Sequence, residues 1–303
     1  MGVVAVLEQS LPAGPAARTR RGILRGAWVG ILPFALYVLL FLGAPLYEVL
    51  YGALTTHSGS LTWSNFRATF DGVQYRSAFV ESIKLALETS LIGGVFGTWL
   101  ACAVLTARPH SPLRRIVGSG AGVLAYFAGV PLAFAFIATL GRYGEATVLL
   151  EHIGINLNYS GFSITSLAGV EICYVYFQIP LMVLLITPAL EGLRSEWREA
   201  ATGLGASSFA YIRHVAAPVL APAIIGAVLL LFGNAFAAYA TAYALIGDTA
   251  NIVPGWIQDL ISGNVLVNED AIGLALGVEM IVVIAAVMVG YALLQRRAGR
   301  WLR

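Results

Sequence analysis

Few residues in this 303-residue chain have chemistry to offer, and most of those lie in apolar surroundings. Glu171 and Glu279 fall inside long apolar runs, and Glu48 and Glu88 lie nearer the edges of others. Asn234, Tyr239 and Tyr243 add neutral polar groups to one further run. An ionisable group held in hydrocarbon is costly, and it marks a solute or ion path by default. Glu171 and Glu279 are therefore the candidates for lining a path, together with Asn234, Tyr239 and Tyr243. The two tyrosines are four apart and share a helix face. Bonding between neighbouring helices is the plainer role for each, at about 0.6 kcal/mol per contact.

Catalytic constellations do not occur. A phosphate-cradling loop needs a lysine in a GxxxxGK[ST] context, and the one lysine, Lys84, lies in an apolar stretch without it. HExxH and GxSxG are missing as well, so ATP hydrolysis or another enzymatic role is not expected of this chain. Cys102 and Cys173 sit in apolar runs with neither CxxC spacing nor a ligand cluster, which makes them buried fillers and not metal ligands. A net charge of +2 suggests no nucleic-acid partner.

The elements that must position these groups are membrane helices. Apolar residues make up 58% of the chain and charged residues 11%, against roughly a quarter charged in soluble proteins. A soluble core of this size could not hide that much apolar surface. Six stretches are long enough to cross about 30 Å of hydrocarbon: Trp28–Leu50, Leu85–Leu105, Ile116–Leu140, Leu167–Leu190, Leu220–Ile246 and Ala271–Leu294. The second has an amphipathic lead-in from Phe79, on which Lys84 and Glu88 face each other. Gly93 with Gly97, and Gly273 with Gly277, are small-residue pairs that let helices approach closely in lipid.

Fourteen of the eighteen basic residues fall in the N-terminal tail, the Arg108–Arg115 loop, the Glu191–Pro218 loop and the C-terminus. The positive-inside rule then places both termini in the cytoplasm. The expected organisation is a cytoplasmic tail over residues 1–26, a first helix with its external loop over 27–78, a core over 79–295, and a basic C-terminus over 296–303. On the outer side, IVPGWIQDLISG reads as a short helix along the membrane surface with Trp256 as an interfacial anchor, and Trp28 and Trp301 mark the cytoplasmic boundary.

The cytoplasmic loop 191–218 carries its own helical signals. Ser195 is a candidate N-cap, with Glu196 in the first turn suiting the helix dipole. Trp197, Ala200, Ala201 and Leu204 follow i, i+3, i+4, i+7 and form one apolar face, with Arg198, Glu199 and Thr202 opposite. The two alanines keep that face low enough for another surface to come close. Gly205 can take the left-handed conformation that ends a helix. Ser207 or Ser208 can cap a second short helix carrying Phe209, Ile212 and Val215, and Pro218 marks re-entry into the membrane. Periodicity alone is equally consistent with an amphipathic loop resting on lipid.

Glu199-Ala200-Ala201, three residues, Gly205, nine residues, then Val215, Ala217 and Pro218 resembles the EAA loop of type I ABC importer permeases. The departure is at Val215 and Ala217, where that family prefers isoleucine and leucine. The run FVESIKLALETSLIGGVFGTWLACAVL resembles the opening of the family's transmembrane domain, and Phe79 to Gln295 fits its layout. The resemblance implies an all-α polytopic fold with six transmembrane helices in a bacterial inner membrane. It also implies that the loop is a coupling helix docked on a dimer of cytoplasmic ABC ATPases, which carry the ATP and Mg; no cofactor is expected in this chain. Carried over, Glu199 would contact the ATPase, Ala200 and Ala201 would permit the close fit, and Gly205 would set the turn, with Trp197, Arg198 and Pro218 completing the segment.

The same resemblance implies an external solute-binding protein and a second permease, a sister chain ahead of a second copy of this one. FGNAFAAYATAYALIG in the fifth span is most similar to permeases for polyamines, aminoethylphosphonate, thiamine and ferric iron, which points to a polyamine or a similar small polar solute. A sugar-type permease is the alternative. A gradient-driven carrier should show internal repeat symmetry, and none is visible. A membrane scaffold would need no path at all.

Overall fold

The computed structural model describes residues 31–56, 58–107, 111–155, 161–263 and 269–301, without the side chains of Leu113, Asp248 and 297–301. The expected tail over 1–26, together with Trp28, His57, Arg108 and the Trp301 side chain, lies outside those residues. The chain divides into two units, through Tyr51 and from Gly52 onward. The first is one apolar helix, α1, Ile31–Ala53 in full, with Glu48 exposed. Every described element is helical apart from one isolated bridge between Thr55 and Leu61. Helices satisfy their backbone groups internally, as hydrocarbon requires.

The second unit continues with α2 (Ser64–Asp71), α3 (Val73–Thr106), α4 (Pro112–Tyr126), α5 (Val130–Leu140), α6 (Glu145–His152) and α7 (Leu167–Glu191). Next come α8 (Ser195–Gly203), α9 (Ser208–Ala237), α10 (Ala240–Ile246), α11 (Val253–Ile261) and α12 (Asp270–Trp301). Among the described residues, five helices are long and apolar enough to cross a membrane: α1, α3, α7, α9 and α12. The pair α4 with α5–α6, bent by 105°, passes the same length and hydropathy test only when taken together, which gives up to six candidate spans.

Two expected spans are thus interrupted. The third breaks at Phe127–Gly129, where Gly129 holds φ 75° and ψ −150°, a conformation that side chains exclude. The fifth ends at Ala237 and resumes at Ala240, with Ala238 extended between them. The second span is longer than expected. It starts at Val73, capped by Gly72, and its 34 residues exceed the hydrocarbon thickness.

Close packing centres on α3. A methyl group added at Gly93 would sit 2.6 Å from Gln178 Cβ, and one at Gly97 would collide with Met182 Cβ, so α7 rests directly on this glycine pair. Gly94 meets Val228 of α9 in the same way, at 2.6 Å. The largest buried cluster gathers Leu85, Leu132, Cys173, Tyr174, Phe177 and Phe236 from four helices. Cys173 is a wholly buried filler there, and Cys102 is half-buried.

Trp256, expected as an interfacial anchor, is half-buried and has partners within the chain. Its indole donates to Asn251 Oδ1 at 3.1 Å, and its ring meets Tyr75 edge-on with centroids 5.3 Å apart. α11 therefore turns its aromatic residue inward, because Tyr75 and Asn251 satisfy both the ring and its N–H.

Candidate functional site

α8 begins one residue earlier than its cap signal suggested. Arg194 is the extended cap residue and Ser195 is already helical, so the serine hydroxyl cannot reach forward as an N-cap. The other end behaves as the residue types dictate. Gly205 takes φ +81°, its N–H donates to Thr202 O at 2.9 Å, and Ala206 N–H donates to Ala201 O at 2.9 Å. This is the paired C-terminal closure that a left-handed glycine allows. Ser207, rather than Ser208, caps α9 by accepting from Ala210 N–H at 3.2 Å.

Pro218 does not break the chain. α9 runs through it, and a π-helical turn over Ile212–Ala216 lets Ala217 N–H reach Ile212 O just before the proline. Pro218 has no N–H to give the carbonyl one turn back, and the wider turn accommodates that loss.

The expected single apolar face of α8 is split in two. Trp197 and Ala201 are half-buried toward the bundle, whereas Ala200, Arg198 and Glu199 are exposed and Leu204 is 89% exposed. Trp197 lines a groove of about 550 Å³ with Leu185, Pro188, Val219, Leu220 and Tyr291, and the Arg194 guanidinium lies 6.0 Å from its ring centre. One turn of helix separates the residue that holds the segment down from those it offers outward. Beyond Gly205 the outward surface continues with Phe209, 70% exposed, and Ile212, 55% exposed. Leu204 and these two are exposed apolar groups on the outer surface of the segment.

The groups expected to line a path are dispersed. Glu171, on α7, lies within electrostatic reach of Glu88 and Lys84 on α3, which makes a three-member charged cluster between these helices. Glu279 is elsewhere. Thr69 of α2 donates to its Oε1, and Asn65 of the same short helix donates to the carbonyls of Ala53 and Thr55 at 2.9 and 3.1 Å. Glu279 thereby pins α2 to α12, which is the plainer, interhelical role.

Asn234 is exposed on α9 one turn before the break. Tyr239 lies at that break rather than within a helix shared with Tyr243, yet the two rings still meet, 5.1 Å between centroids.

The break itself holds residues that periodicity did not single out. Tyr174 donates its hydroxyl to the Ala238 carbonyl at 2.6 Å. Gly129 N–H donates to Thr241 Oγ1 at 2.8 Å. The two interrupted crossings are therefore bonded to each other. Gln178, fully buried on α7, donates to Leu231 O at 3.0 Å. The signal that could have found Tyr174 and Gln178 was their polarity inside an apolar run.

Residues 93–300 match the family described as binding-protein-dependent transport system inner membrane component. The sulfate transport system permease protein CysT of Salmonella typhimurium is 27% identical over 238 residues, which is 77% of this chain and 80% of that protein. The thiamine transport system permease protein ThiP of Escherichia coli is 31% identical over 114 residues, 38% of this chain and 21% of that protein. A chain of a bacterial alginate ABC transporter, in complex with alginate pentasaccharide-bound periplasmic protein, superimposes with TM-score 0.72 at 18% identity, over 92% of this chain and 98% of that one. At that identity the likeness is one of fold.

Proposed function

The chain belongs to the family of binding-protein-dependent transport system inner membrane components, and on that premise we propose that it is half of a translocation path driven by ATP hydrolysed on a separate chain. It is a multi-pass protein of the inner membrane. The observation that carries the reading is the exposed helix–Gly205–helix segment. Its outward face presents Ala200, Leu204 and Phe209. The basic-residue excess puts this segment and both termini in the cytoplasm. An ATPase dimer carrying ATP and Mg docks there, a sister permease completes the path, and an external solute-binding protein delivers the cargo.

The test is copurification of this chain with an ATPase subunit, followed by uptake with that ATPase active and inactivated. Uptake that survives inactivation would identify a gradient-driven carrier instead. The cargo is a small polar solute. A sulfate permease matches over most of the chain and a thiamine permease over part of it, so an oxyanion precedes polyamines and sugars in the order of ligands to screen against the binding protein.

A further inference from the structure

We propose that Arg114 and Glu191 form a strut that carries displacement of the coupling segment into α4 and, through α4, to the break at Gly129. The inference rests on the reading of Glu191–Pro218 as the coupling segment. α7 and α9 are continuous with that segment along the chain, so a force on α8 reaches them directly. α4 enters from a different loop and meets the segment only through space. The meeting point is Arg114, in the first turn of α4, whose Nη2 donates to Oε1 of Glu191, the last residue of α7.

Farther along α4, Ala121 shares a buried cluster with Met182, Val183 and Ile186 of α7, and close packing of that kind transmits displacement instead of absorbing it. The far end of α4 is the break itself. Gly129 N–H is bonded there to Thr241 in the first turn of α10, which adjoins the Tyr239–Tyr243 ring pair. A line of contacts thus runs from the coupling segment to two of the path candidates, and coupling between distant sites is carried by such networks. The strut side chains are 30% and 49% exposed, and an ion pair that open to solvent adds little to folding. Arg114 and Glu191 are positioning residues. Their loss should spare the fold and uncouple the first turn of α4 from the segment.

The experiment uses the assembled transporter with Tyr243→Cys as the reporter and Cys102 and Cys173 replaced by alanine. The rate of labelling by a membrane-impermeant maleimide is compared with and without ATP and vanadate. With Arg114 and Glu191 intact, ATP changes the rate by about fivefold or more. Arg114→Glu and Glu191→Arg each remove the change while the ATPase still copurifies, and the double reversal restores it. An ATP-driven change that persists in both single variants overturns the strut, as does a double reversal that restores nothing. No ATP-driven change with Arg114 and Glu191 intact, despite a bound ATPase, overturns the coupling reading and the strut together.

Discussion

The chain changes direction at Gly205 and again at Ala238, and the two turns have opposite origins. At Gly205 the cause is local. A glycine at φ +81° closes α8 with bonds to Thr202 and Ala201, and nothing lies within 4 Å of where its Cβ would stand. At Ala238 the local residues would continue a helix, since neither glycine nor proline occurs between Asn234 and Ile246. The interruption is held by Tyr174 from another helix, and Thr241, just beyond it, is bonded to Gly129 of the other broken crossing. The exposed turn is specified by its own residues because no neighbour is there to specify it. The break at Ala238 can be specified from a distance, because in hydrocarbon a freed carbonyl must find a partner.

The sharpest way to break this contrast is at the exposed turn. Gly205→Asp is expected to lower uptake about tenfold or more while insertion is unchanged, since a side chain at positive φ is strained and a carboxylate is added to the docking surface. Quantifying uptake against membrane-inserted protein checks this; unchanged uptake would count against the coupling role.

Next in size is Leu204→Asp, which should reduce ATPase capture about tenfold with no loss of thermal stability, since Leu204 is 89% exposed. Pull-down and a melting curve on the same sample separate the two effects. At the break at Ala238 the order reverses. Tyr174→Phe should cost about 1–3 kcal/mol by leaving the Ala238 carbonyl unpaired, seen as a lower melting temperature in detergent, with ATPase capture intact. Smallest is Thr69→Val, at about 0.6 kcal/mol for losing the bond to Glu279. A large transport defect from that change, without a stability loss, would return Glu279 to the path.

Other differences between expectation and structure have the same origin. Periodicity placed Trp197, Ala200, Ala201 and Leu204 on one face, and it could not say which edge of that face the bundle would cover. The groove formed by α7, α9 and α12 took Trp197 and left Leu204 outside. The composition around Trp256 gave no sign of its partners Tyr75 and Asn251. Ser195 carried the composition of a cap until Arg194 took the extended position.

Residue types and their order alone determined that this is a multi-pass membrane protein with five to six apolar spans, that its basic residues concentrate in alternate loops, and that Gly205 turns a helix pair between two of those spans. These properties follow from hydrocarbon thickness, charge and backbone sterics, which act on each segment by itself. Only the tertiary structure decided where two crossings break, that Glu279 holds α2 while Glu171 joins Glu88 and Lys84, and that Arg114 meets Glu191. Those are pairings between residues far apart in the chain, and a pairing has no signature in either segment until the two are packed together.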